Sequence, residues 1–320
     1  MMSGSQMPEL CLKIDVDTLR GTLEGTPRLV ELFRRENVGA TFLFSMGPDH
    51  TGRALKRIFR PGFLAKVRRT SVRSNYGLKT LLYGTLLPGP DIGRRGAEVM
   101  RATRDAGFEC GIHCWDHVVW QDGVMHKPDA WARAHMQRAH DRFIDVFGSA
   151  AQTCGAAGWQ MSRDALRAQG TLGYRYASDA RADSASSGPF WPLVKAEPMP
   201  VVQTPTTLPT LDEMIGLAGC TADNVHERLL AMTAQDRRDH VFTLHAELEG
   251  MALLPVMERL IAGWREQGYE LISTGQYFDR LDVNALPFCE VEWGTLAGRS
   301  GTLIKQGTPY LANLEQSLRR

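Results

Sequence analysis

Short apolar runs that end in a carboxylate or an imidazole alternate along this chain with stretches of helical periodicity. That alternation restricts the fold more than any other feature. Leu10 to Asp17 (LCLKIDVD), Ala40 to Ser45, Glu109 to His113, Ala151 to Cys154, Tyr174 to Ser178, His240 to His245 (HVFTLH) and Tyr269 to Ser273 read as strands. Helices are expected between them. The first opens at Thr26, an N-cap followed by a first-turn proline, and runs to about Glu36. Others cover Gly93 to Ala106, Pro128 to Val146, Ser162 to Ala168, Asn224 to Ala234 and Leu253 to Gln267. Strands separated by helices at this spacing pair in parallel, so the fold class is α/β, a sheet or a barrel. At 320 residues one main domain is the simplest organisation, spanning 8–283 with an interruption at 53–90. Residues 284–320 are Gly-rich and weakly patterned, and read as a peripheral extension.

Composition removes several classes. A net charge of +1 lacks the strongly basic surface of a nucleic-acid binder. The six cysteines contain no CxxC pair, which argues against a zinc ribbon or a disulfide framework. The N-terminal stretch MMSGSQMPELCLKIDVD has no basic segment leading into an apolar one, and no apolar run reaches membrane-spanning length. A cytoplasmic protein is expected.

The strand ends carry the chemistry, as they do in barrels whose active groups follow the strands. Asp15 and Asp17 lie two apart and so share one strand face, where two close carboxylates call for something positive beside them. His113 and His117 lie four apart (HCWDH) and share a face if the chain turns helical after His113. Imidazoles with a carboxylate suit zinc, and also iron, cobalt or manganese. Asp179 and His245 close two further strands, and His245 is a candidate general acid. A strand-end Asp often only caps a turn, and a lone His there is more often structural. The combination is more specific than its parts.

The segments IDVDTLRGTLEG, GIHCWDH, CGAAGW, RYASDAR and FTLHAELEG resemble the successive motifs of the polysaccharide deacetylase superfamily, the NodB homology domain. The resemblance runs from about Leu12 to Leu281 and includes TLPTLDEMIG and SNYGLKTLLYGT. It is closest to the branch that deformylates an amino sugar carried on a polyprenyl phosphate for lipid A modification. It implies an irregular (β/α) barrel with Asp17, His113 and His117 as ligands of a divalent metal, zinc first. It further implies Asp15 as base, His245 as general acid and a backbone N–H, that of Trp159, as oxyanion donor. Val16 separates the two aspartates where most of the superfamily has them adjacent. The third motif lacks the usual base-supporting Arg, which leaves Arg175 or Arg181 as substitutes with Asp179 as their partner. Alternatives are a deacetylase of another N-acetylated amino sugar or peptidoglycan-type glycan, a non-haem iron oxygenase, and a non-catalytic lipid-binding module.

From Thr51 to Pro90 there is no acidic residue. Arg53, Lys56, Arg57, Arg60, Lys66, Arg68 and Arg69 interleave there with leucines and phenylalanines, the pattern of an amphipathic helix lying in a membrane interface. Peripheral contact with the cytoplasmic face of the inner membrane, and with a lipid phosphate, is expected. A helix packed on the barrel with a solvated basic side would carry the same pattern.

Overall fold

The computed structural model describes residues 7–54, 79–182, 187–297, 299 and 301–311. Lys56, Arg57, Arg60, Lys66, Arg68 and Arg69 lie outside the described residues.

Among the described residues, eight strands form one parallel, curled sheet: β1 (Glu9–Val16), β2 (Thr41–Ser45), β3 (Glu109–Cys114), β4 (Thr153–Cys154), β5 (Tyr176–Ala177), β8 (Val202–Gln203), β9 (His240–His245) and β10 (Glu270–Ile272). Alternation along β1 explains how it works as the central stave. Leu10, Leu12, Ile14 and Val16 are fully buried, and they join α1 (Thr26–Arg35) in the main apolar cluster through Leu29 and Phe33. The intervening residues Cys11, Lys13 and Asp15 point to the opposite face and are equally buried. A sheet face that buries a lysine and an aspartate is built for something other than packing.

Outside the sheet run α2 (Ala97–Asp105), α3 (His117–Gly123), α4 (Asp129–Phe147), α5 (Arg163–Thr171), α6 (Val225–Gln235), α7 (Leu254–Glu266) and α8 (Thr274–Arg280). Trp264 and Leu260 of α7 and Phe143 of α4 complete the main cluster. The architecture is the irregular α/β barrel that the motifs imply.

Local details differ from the sequence reading. Thr26 is not an N-cap: the chain already winds as a π-turn over Gly21–Gly25, and the Thr26 hydroxyl donates back to the Gly21 carbonyl at 3.2 Å. The helix expected over Gly93 to Ala106 breaks at Gly96 into a single turn, Ile92–Arg95, and α2. The largest departure is the tail. β11 (Phe288–Gly294) and β12 (Leu303–Pro309) pair antiparallel, and β11 runs parallel to β6 (Trp191–Val194), which pairs with β7 (Glu197–Pro198). Cys289, Val291 and Ile304 enter a second apolar cluster with Ala180 and Phe190, so this segment is ordered sheet rather than weakly patterned chain.

Candidate active site

Registry sets the site. Asp15 of β1 stands opposite His245 of β9, the last pair of that ladder. On the other side, β2 and β3 run in step from Thr41–Glu109 to Phe44–Ile112, and then Ser45 pairs with Cys114. His113 is the extra residue at that shift, and a bulge of this kind re-aims one side chain. The strand continues through Cys114, and α3 starts only at His117, whose N-cap Asp116 accepts the Val119 N–H at 3.1 Å. The two histidines therefore meet across a strand-to-helix turn and not on one helical face, with ring centroids 5.3 Å apart.

Asp17, just past the end of β1, takes both. Its Oδ1 is 3.1 Å from His113 Nε2 and its Oδ2 is 3.4 Å from His117 Nε2. Oδ1 is nonetheless buried without a hydrogen-bond partner, as an oxygen kept for a cation would be. Ligand bonds of about 2.0–2.1 Å at near-tetrahedral angles put neighbouring donor atoms about 3.3 Å apart. Among the described residues, these three side chains are the group whose donor atoms all lie within 4.8 Å of one another. The set fits a divalent cation. The Nδ1–H of His113 donates to the Gly155 carbonyl at 2.7 Å, which leaves Nε2 as the nitrogen able to ligate. A side chain at Gly155 would meet Leu43 Cδ1 at 2.5 Å, the Ser178 carbonyl at 3.1 Å and Lys13 Nζ at 3.3 Å, so it would crowd the place where Lys13 is held.

Burial works against the Asp17 charge. The imidazoles of His117, His113 and His245 more than offset it and hold the carboxyl well below its usual range. Burial alone would also lower His245, but the carboxylates of Asp17, Asp212, Glu249 and Asp15 raise it above 6.5. His245 Nδ1 and Asp15 Oδ1 are both buried without a hydrogen-bond partner, as groups awaiting a substrate or water would be.

Three features escaped the sequence reading. The cation beside Asp15 is Lys13, fully buried, with Nζ 3.6 Å from Asp15 Oδ1 and donating to the Ser178 carbonyl at 2.9 Å. Its signal was the two-residue spacing that puts Lys13, Asp15 and Asp17 on one face. Glu247 Oε1 accepts from Asp17 N–H (3.1 Å), Thr18 N–H (2.8 Å) and Thr18 Oγ1 (2.8 Å), so it holds the loop that carries Asp17. His50 Nδ1 lies 2.5 Å from the second oxygen of Asp116, bracing the start of α3.

Other expected residues fall elsewhere. Arg175 is exposed and its guanidinium is bonded to Asp279 and not to Asp15, so it does not replace the missing arginine. Arg181 pairs instead with Glu213. Asp179 is buried on Ala156 N–H (2.7 Å), Gln169 (2.6 Å) and Gln203 (3.0 Å), and burial raises its pKa. The Trp159 N–H already donates to the Ala156 carbonyl at 3.0 Å, which removes it as an oxyanion donor here. Arg53 donates its Nε–H to the Gly84 carbonyl at 3.0 Å.

Glu247 offers a direct test. Burial, then the Asp17 charge, push it up to about 8 from an ordinary 4.5. Glu247→Gln keeps a neutral side chain and the triple acceptor, so it should retain the fold. Glu247→Ala strands buried donors at about 1–3 kcal/mol each and should lower the melting midpoint. Because the folded value lies above the unfolded one, wild type loses this group's stability as pH rises from 4.5 through about 8. Melts of chelated protein should show Glu247→Gln gaining on wild type across that window, and a constant gap would contradict the assignment.

No family model matches the chain. A crystal structure from Mycobacterium smegmatis, assigned as a polysaccharide deacetylase, superposes with a TM-score of 0.62 at 15% identity, covering 92% of this chain and 98% of that one. The chitin deacetylase of Colletotrichum lindemuthianum gives 0.51 at 14% identity over 85% and 88%. Their likeness defines the fold: a barrel of the polysaccharide deacetylase class. A protein of Shewanella sediminis (strain HAW-EB3), named a probable 4-deoxy-4-formamido-L-arabinose-phosphoundecaprenol deformylase, is 34% identical over 307 residues, 96% of this chain and 97% of that protein. One of Wigglesworthia glossinidia brevipalpis with the same name is 28% identical over 296 residues, 89% and 98%. This chain belongs to the 4-deoxy-4-formamido-L-arabinose-phosphoundecaprenol deformylase family.

Proposed function

We propose that this protein hydrolyses the N-formyl group of 4-deoxy-4-formamido-L-arabinose carried on undecaprenyl phosphate, releasing formate and the free amino sugar lipid used in lipid A modification. The relatives' names supply the substrate. The observation that carries the chemistry is the register pairing of Asp15 with His245 beside the convergent Asp17, His113 and His117. A divalent cation held by those three, zinc on the donor chemistry with manganese, cobalt or iron also accepted, would polarise the formyl oxygen and acidify water.

The protein's own groups do the proton work. Asp15, with an unoccupied oxygen, accepts the proton of the attacking water. His245, whose pKa the surrounding carboxylates raise above its ordinary value, gives its proton to the departing sugar nitrogen. Net, one water is added, the C–N bond breaks and formate leaves. Because His245 must enter protonated, activity should fall as pH rises through a value above 6.5. Glutamine at position 245 should cost about 10²-fold in kcat and abolish that limb. A limb that persists in the variant would assign it to another group.

The deciding experiment is formate release from the synthetic formamido-arabinose phospholipid, with and without chelator. Release that stops on chelation and returns with added metal supports the reading. No release by folded, metal-loaded protein sinks it, and an N-acetylated amino sugar becomes the next substrate.

Such a lipid is met at a bilayer surface. No helix of the described residues is long and apolar enough to cross a membrane, so engagement would be peripheral. Leu86 is 81% exposed beside Leu87 in the acid-free stretch, which supports a surface that dips into the interface. Sedimentation with anionic vesicles, absent with zwitterionic ones, is the expected result.

A further inference from the structure

The indole of Trp159 carries three cations. Lys13 Nζ lies 5.2 Å from its centroid, the Arg181 guanidinium 4.8 Å and the Arg299 guanidinium 4.3 Å. An aromatic face attracts a cation, but three positive charges around one ring repel each other and need anions. Lys13 is answered by Asp15. Arg181 is answered by Glu213 in a bidentate pair at 2.8 and 3.0 Å, both side chains buried, with Asp212 adding its charge at longer range. Arg299 has only a share in that pair. Its Nη1 reaches Glu213 Oε1 at 3.2 Å, an oxygen already bonded to Arg181.

No other hydrogen bond is formed by the Arg299 side chain among the described residues, and it remains 15% exposed. Arg181 Nε is likewise buried without a partner. Two guanidinium groups thus share one strongly committed carboxylate and keep donors in reserve. Position adds to this. Arg299 lies 4.3 Å from the centroid of the indole that Lys13 Nζ approaches at 5.2 Å, Lys13 is 3.6 Å from Asp15, and Arg299 arrives from the connection between β11 and β12, far from the barrel motifs in sequence. Asp212 acts electrostatically on both His245 and Arg181, so the cluster borders the acid side of the site.

We infer that Arg299 binds the phosphodiester anion of the substrate, so that the C-terminal segment completes recognition at the barrel mouth. The inference rests on the deformylase reading above. In that substrate the phosphate lies across one sugar ring from the formamide, so the group that reads it belongs to one side of the metal ligands and within a sugar's reach. A guanidinium fork matches phosphate oxygens, and here it is pre-positioned by the indole beneath it.

The test uses full-length, metal-loaded protein and two soluble substrates: a short-chain prenyl phosphodiester of 4-formamido-arabinose and the uncharged methyl glycoside of the same sugar. Formate release is measured for wild type, R299A, R299Q and R299K. The ratio of kcat/KM for the phosphodiester over the glycoside should fall about tenfold or more in R299A and R299Q, mainly through KM for the phosphodiester. R299K should recover part of it. If the ratio in R299A and R299Q equals that of wild type, Arg299 only fastens the tail to Trp159 and the inference is overturned. Should R299A fail to fold, the near-isosteric R299Q decides alone. Failure of wild type on both substrates would overturn the deformylase reading itself, and this inference with it.

Discussion

Asp15→Asn is expected to lower kcat/KM for formate release by about 10³-fold while leaving the bound metal in place. The geometry separates the two aspartates of IDVD. Asp17 faces both imidazoles at 3.1 and 3.4 Å, whereas Asp15 stands 3.7 Å from the non-ligating nitrogen of His113 and 3.6 Å from Lys13. Asparagine is isosteric, so the site keeps its shape, but an amide cannot take the proton of an attacking water. Asp17→Asn should behave differently and lose both metal and activity, because it removes the charge on which two ligands converge. Metal analysis and steady-state kinetics on the same samples distinguish the roles. If Asp15→Asn also empties the site, or retains wild-type turnover, the division of labour drawn here is wrong.

Much of this was legible because the fold and the site share one signal. Parallel strands buried on both faces read as apolar runs, and the residues that break them are the candidates for the site. Asp15, Asp17, His113 and His245 were visible for that reason, at the ends of β1, β3 and β9. Lys13 was harder to see. A charged residue in the middle of a strand looks like an edge or a boundary, and only the register shows it enclosed by Asp15 and the Ser178 carbonyl. Glu247 was hidden because nothing in HAELEG sets one glutamate apart from the other, and only the close packing of Gly21 against the Glu247 carboxyl shows it inside. The bulge at His113 has no sequence signature, so the histidine pair was read as a helical face. The tail failed on periodicity, since β11 mixes charges with Cys289 and Val291 and only the partner strand β6 gives its inner face a place to go.

Lys13→Met should rank next to Asp15→Asn among the damaging changes outside the metal ligands, and Lys13→Arg should repair it in part. Methionine fills the same volume but leaves Asp15 buried with no cation, and breaking a buried pair from one side costs about 3–5 kcal/mol. Lysine here has already given up hydration, since burial lowers its pKa and Asp15 and Asp179 only partly restore it. On the proposed reading it is kept for the carboxylate of Asp15, 3.6 Å away. The superfamily's third motif usually supplies an arginine for this purpose, and in this chain Gly155-Ala-Ala-Gly158 supplies none. The expected pattern is a fall of at least about 10²-fold in kcat for Lys13→Met with KM and metal content close to wild type. Arginine restores the charge but must fit beside Gly155, whose added side chain would come within 3.3 Å of Nζ, so recovery should be partial. A purely structural lysine predicts something else: kcat per folded molecule intact in both variants, and no advantage of arginine over methionine in turnover. Kinetics normalised to folded, metal-loaded protein separate the two.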